Sequence, residues 1–188
     1  MKEIFSFFRE TSKKSFLKSQ SIIINHEDYD PYSEDLNILE NLLDEEEYSE
    51  VINYNEINIM LSPRAHLYKS YALQQIGNEK DARMETIIAD KILEGISLTG
   101  DGTLEFPYIV TRISDERDFL RYLNEDPKIQ SLIKSNDKTI DLLECVSGKQ
   151  FHFDITNCFK RMQNLIDKGK LQLSLEEVEQ KKWWQFWK

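Results

Sequence analysis

From Ser33 onward apolar residues recur every three or four positions. Leu36, Leu39, Leu42 and Leu43 predict a helix. Ser33 is its expected N-cap, with Glu34 and Asp35 in the first turn, where the helix dipole favours carboxylates. Tyr48, Val51 and Ile52 predict a second helix. A third is expected from Ser62-Pro63, with proline at the first helical position, through Leu67, Tyr68, Tyr71, Ala72 and Ile76 to Gly77. A fourth starts near Asn78 and carries Ala82, Ile87, Ala89, Ile92 and Leu93. Ahead of these, Ile4, Phe5, Phe7, Phe8, Phe16 and Leu17 anchor a segment that docks on the body or lies on a membrane surface. Residues 21–32, with Ile22-Ile23-Ile24 and Pro31, read as a short extended linker.

The texture changes after Ile96. Thr99-Gly100-Asp101-Gly102-Thr103 is a turn-rich break. Tyr108 to Ile113 reads as a strand, and Ser114 as the N-cap of a helix through Phe119, Leu120, Tyr122 and Leu123 to an Asp126-Pro127 stop. Three strands are expected at Ile129 to Ile133, Thr139 to Val146 and Gln150 to Ile155, with Ser147-Gly148 as the hairpin turn between the last two. A helix over residues 157–167 ends at Gly169. Ser174-Leu175-Glu176-Glu177 forms a capping box leading toward Trp183-Trp184-Gln185-Phe186-Trp187. The pattern predicts an α+β fold: N-terminal antiparallel helical hairpins packed on a small, mainly antiparallel sheet with covering helices. The expected divisions are a docking segment (1–32), a helical-hairpin module (33–98), a small α+β module (99–170) and a C-terminal helix with an aromatic tail (171–188).

Charge sharpens this picture. The net charge is -10, yet no Lys or Arg lies between Lys18 and Arg64, and residues 19–63 hold 12 acidic side chains. The remainder carries 24 basic and 22 acidic residues, a net of +2, so the acidic character belongs to one segment. Such a field repels nucleic acid and lipid headgroups and speeds encounter with basic surfaces. The blander reading is a solvated helical face. With 188 residues and 40% hydrophobic content the chain can bury a core without disulfides. Cys145 and Cys158 form no CxxC pair and fit no zinc spacing, which suits free thiols in a reducing compartment. The N-terminal apolar stretch is too short for a signal peptide and no run is long enough to span a bilayer. The expectation is a cytoplasmic protein with no cofactor, no nucleic-acid partner and no stable membrane association.

Two resemblances follow. Gly77-Asn78-Glu79-Lys80-Asp81-Ala82, with Ala89 seven residues on, resembles the turn and second helix of a tetratricopeptide repeat. His66 and Lys69 stand where that repeat prefers bulky apolar residues, and Leu43 and Tyr48 replace the glycine and alanine one period earlier. Residues 92–155 resemble an uncharacterised bacterial family of unknown function. The residues that carry this are Ile92-Leu93 with Ile96, Gly100-Asp101-Gly102, Tyr108-Ile109-Val110, Glu116 and Phe151-His152-Phe153-Asp154-Ile155. His152 departs from the tyrosine usual there. The resemblance implies a helical-repeat part followed by a strand-rich part, and no activity.

Candidate chemistry is sparse. A two-residue hairpin at Ser147-Gly148 would set Leu143 opposite His152 and Asp141 opposite Asp154, placing Cys145, His152 and Asp154 on one sheet face. That is the proximity a thiolate nucleophile and histidine base need, but nothing marks an oxyanion hole. Gly100-Asp101-Gly102 lacks the lysine and strand–turn–helix order of a phosphate loop. The aromatic tail fits three readings: folding back on the body, a membrane interface, or a partner-binding hot spot. The preferred reading is a stoichiometric protein-binding protein, most concretely an immunity protein that neutralises a bacterial toxin or effector with a basic face. Its contact residues would be Glu34, Asp35, Asp44, Glu45, Glu46, Glu47, Glu50, Trp183, Trp184 and Trp187. The alternatives are a tetratricopeptide-like adaptor or chaperone, and an enzyme using Cys145 and His152.

Overall fold

The computed structural model describes residues 2–135 and 137–167. Trp183, Trp184, Trp187 and the Ser174 capping box lie outside these residues. The order is α1 (Lys2–Arg9), α2 (Lys13–Ile24), α3 (Asp35–Asp44), α4 (Tyr48–Asn53), a 3-10 turn (Ile57–Ile59), α5 (Pro63–Gln75), α6 (Glu79–Ser97), β1 (Tyr108–Ile109), α7 (Ser114–Tyr122), β2 (Pro127–Ser135), β3 (Lys138–Cys145), β4 (Gln150–Asp154) and α8 (Thr156–Asp167). The fold is α+β, with a four-stranded sheet in the order β1-β4-β3-β2. β2–β3 and β3–β4 are antiparallel, and the short β1 runs parallel to β4.

Local signals place the helices of residues 62–97 where the apolar period does. The Ser62 hydroxyl accepts from Ala65 N, Pro63 opens α5, and the Asn78 side chain accepts from Asp81 N at the start of α6. α6 runs back along α5, with Ser70 Oγ donating to Ala82 O at 2.9 Å and His66 Nδ1 2.6 Å from Glu85 Oε2. The polar positions His66 and Lys69 are thus satisfied in place, Lys69 Nζ reaching Asn55 Oδ1 at 2.7 Å.

Several expectations fail for identifiable reasons. Ile22-Ile23-Ile24 is the last turn of α2, not a linker. A Ser12–Ser15 capping box starts that helix, and complete burial of Ile23 overrides the strand preference of a β-branched run. Ser33 does not cap α3; Glu34 occupies the cap position without a side-chain cap bond, because Ser33 Oγ is committed to Asp35 Oδ2. The strand expected over 108–113 stops after Ile109, and Ile113, not Ser114, caps α7. β2 begins at Pro127 itself; it is the edge strand, where a proline at the first position sacrifices no ladder bond.

One core joins the N-terminal helices to the sheet. Phe7, Phe16, Ile23 and Tyr29 pack with Ile92 and Ile96 of α6, Phe119 and Leu120 of α7, and Leu143 and Phe153 of the strands. This core crosses the expected divisions at 32 and 98. A second cluster of Leu36, Leu39, Val51, Ile59, Ala65 and Ala72 holds α3, α4 and α5 together.

Candidate functional site

The acidic segment splits into two environments. At the end of α3 the chain turns sharply into α4, closed by Glu46 N to Leu43 O at 3.0 Å and Glu47 N to Leu42 O at 2.8 Å. That pairing is a Schellman motif, whose left-handed position usually belongs to glycine. Here it belongs to Glu46, at φ 59. A non-glycine residue in this region costs about 1–2 kcal/mol. Four acidic residues, Asp44 to Glu47, also stand at the helix end where the dipole disfavours negative charge. Neither feature serves the stability of α3. Asp44, Glu45, Glu46, Glu47 and Glu50 are all exposed. Beside them Tyr48 and Tyr71 meet edge-on at 6.4 Å, and Tyr71 keeps 48% exposure. Partial burial and the neighbouring Glu46 carboxylate push the Tyr48 hydroxyl above its ordinary pKa.

Glu34 is also exposed, its carboxylate accepting from Asn37 Nδ2. It sits at the opposite end of α3, about 15 Å from the turn at 1.5 Å per residue. Asp35 is not a surface residue. It is 7% exposed; its Oδ1 accepts from Tyr54 OH at 2.5 Å, and its Oδ2 accepts from Ser33 Oγ at 2.5 Å and Asn58 Nδ2 at 3.0 Å. Burial alone would raise its pKa, but these hydrogen bonds outweigh it and hold the carboxyl below its ordinary value. Asp35 anchors the interior. Arg112 completes that anchor from the other half of the chain, Nη1 donating to Ser33 Oγ at 2.7 Å and Nη2 to Ser33 O at 2.8 Å.

The Cys145–His152 constellation does not assemble. Leu142 pairs with His152 and Leu143 with Phe151, one residue out of the expected register. The loop has three residues, not two: Cys145 N donates to Lys149 O at 2.8 Å, Gly148 N donates to Cys145 O at 2.9 Å, and Gly148 takes φ 85. A one-residue slip reverses every side chain. Cys145 therefore faces the core with Leu143 and Phe153, while His152 and Asp154 lie on the other face. Burial raises the Cys145 thiol pKa, away from a thiolate. His152 holds the Gly-Asp-Gly turn instead, its backbone N and ring Nδ1 both donating to Gly102 O, at 2.9 and 3.0 Å.

A buried acidic cluster went unnoticed in the sequence. Asp115, Glu116 and Asp141 are each at most 1% exposed. Burial, then the charge of Asp118, raises Asp115 to about 7; burial raises Asp141 to about 6 against a hydrogen bond from Gln130; burial and then Asp141 push Glu116 well up. Burial, reinforced by Asp115 and Glu116, likewise raises Cys158 to about 12. Asp118 is held by Arg64, with Nη2 to Oδ1 at 2.7 Å and Nε to Oδ1 at 3.0 Å. Asp115 and Glu116 stand in the first turn of α7 and Asp141 within β3, positions that acids occupy both buried and in solvent. No local signal separates the two states. Among the described residues no group of three or more His, Cys, Asp or Glu side chains can hold a metal ion, and no helix is long and apolar enough to cross a membrane.

Compared with protein-family models, with curated proteins and with solved structures, the chain matches none.

Proposed function

We propose that this is a stoichiometric protein-binding protein, of the kind that neutralises a toxin, and that the α3–α4 turn receives a basic face of its partner. The observation that carries the reading is Glu46: an exposed carboxylate in a glycine conformation, inside a run of four acids at the wrong end of a helix, beside the exposed Tyr71 ring and its partner Tyr48. Local stability argues against the left-handed Glu46 and against the acidic run at the helix end, and features that run against stability point to function. Carboxylates spaced along the turn take the place of phosphates and occlude a basic site. Tyr71 supplies a ring face for an arginine or lysine of the partner. Glu34 stands too far along α3 to share that contact, and Asp35 is removed from it by burial.

The test is affinity capture from the native cell with the intact chain, beside a chain in which Glu45, Glu46 and Glu47 are changed to Lys and one lacking residues 183–188. The expected result is one partner at 1:1 stoichiometry, lost in the charge-reversed form. Its affinity falls steeply as salt rises. Capture unchanged by the charge reversal, or no partner for any form, overturns the proposal.

A further inference from the structure

Glu116, in the first turn of α7, and Asp141, in the middle of β3, meet in the interior. Both approach a single nitrogen: Gln130 Nε2 of β2 donates to Asp141 Oδ2 at 2.7 Å and lies 3.4 Å from Glu116 Oε2. The two carboxyl groups also lie within hydrogen-bonding reach of one another. Their outer oxygens, Glu116 Oε1 and Asp141 Oδ1, are buried and have no hydrogen-bond partner, and neither has Asp115 Oδ1. A lone buried carboxylate in this state is costly, and two adjacent ones far more so.

The groups around the pair do not neutralise it. From the segment before α7, Arg112 turns its Nη1 and Nη2 donors to Ser33 and Asn58 O, and its charge acts on Asp115. Arg64 of α5 is spent on Asp118. On α7 itself Asp115 adds negative charge and Arg117 offsets part of it. Tyr32 approaches from the segment after α2, with Asp30 behind it, and Cys158 from α8; burial keeps the Tyr32 hydroxyl and the Cys158 thiol protonated. Gln130 contributes one uncharged amide.

We propose that Glu116 and Asp141 hold one proton between them, and that this shared proton clamps α7 to the sheet and is released to solvent as the surroundings become alkaline. With the proton in place the pair carries one negative charge and one carboxyl O–H donates to the other group. Without it, two negative charges face each other in the core across the seam between α7 and β3. The device is independent of the acidic turn and of any partner.

The sign follows from linkage. A carboxyl whose folded pKa is raised contributes stability that is complete below the unfolded pKa, near 4, and is lost as pH rises through the folded value. Each retained proton lowers the folded-to-unfolded ratio about tenfold per pH unit across that window. The test is urea unfolding of the full chain from pH 5 to 9, in an Asp115→Asn background that takes the proton of Asp115 out of the comparison. Glu116→Gln supplies the shared hydrogen permanently and is expected to remove about one decade per pH unit of the decline, so that it becomes the more stable form above neutrality. A gap between the two that stays constant with pH overturns the clamp. Carbon-13 resonances of the side-chain carboxyls in the unaltered protein give a second reading that does not depend on a variant folding. One of the two resonances still protonated at pH 6 supports the clamp, and both ionising near pH 4 overturns it.

Discussion

Replacing Gly95 with alanine sets two effects of similar size against each other. Gly95 lies in the last turn of α6, where alanine gains about 0.5–1 kcal/mol of helix propensity. A Cβ built there, however, lies 2.5 Å from Phe16 Cδ2 and 2.9 Å from both Phe16 Cγ and Phe7 Cζ. Carbon atoms rest at about 3.5–4 Å, so the rings must withdraw by about 1 Å. They have nowhere to go: Phe7 and Phe16 are 0% exposed and pack on one another as a tilted pair with centroids 5.5 Å apart. Overpacking of this kind costs about 1–3 kcal/mol. Steric cost wins, and Gly95→Ala is expected to destabilise the protein by about 1–2 kcal/mol, measured by urea unfolding. In a Phe16→Ala background the same change meets only Phe7 Cζ, which can withdraw into the space Phe16 vacates, so it should become neutral or stabilising there, a coupling of about 1–3 kcal/mol between the two sites. A single Gly95→Ala variant more stable than the parent would refute the argument, as would equal destabilisation in both backgrounds. Either outcome would mean that α1 and α2 do not seat against α6 through this contact.

Two further changes test the interior charges. Asp35→Ala strips three hydrogen-bond donors of their acceptor and should cost about 2–4 kcal/mol at pH 7. Because the folded carboxyl is held below its ordinary value, that loss should shrink as pH falls through the acid range, opposite in sign to Glu116; a cost under 1 kcal/mol at pH 7 would return Asp35 to the surface. Arg64→Ala leaves Asp118, 10% exposed, with the weaker Arg121 contact at 3.6 Å as its ion pair among the described residues, and should cost about 3 kcal/mol, much of it recovered by adding Asp118→Asn; unfolding curves showing no recovery would remove the ion pair as the cause.

Much of the backbone was readable from local pattern. The helices of residues 62–97 and the β3–β4 strand pair follow the apolar period, because helix capping, proline placement and alternation act over a few residues. The Ile22-Ile23-Ile24 run was not readable in that way. Its helical state rests on Ile23 filling a core whose other walls lie more than sixty residues away in sequence, at Ile92, Phe119 and Leu143. The hairpin was half readable: a glycine turn is a local signal, but whether the loop holds two residues or three is settled by which side chains the core accepts. Leu143 and Phe153 both face inward only in the longer loop.

For the candidate site, the sequence by itself determined that the net negative charge comes from one segment, since a count of ionisable residues needs no coordinates. Only the tertiary structure decided which acids face solvent and which face one another. Asp44 to Glu47 project into solvent, Asp35 turns into a cage of Ser33, Tyr54 and Asn58, and Glu116 meets Asp141 across the seam of helix and sheet. A carboxylate is written with the same letter in all three places. What separates them is the desolvation and the hydrogen-bond donors supplied by residues distant in the chain, and those exist only once the chain has folded.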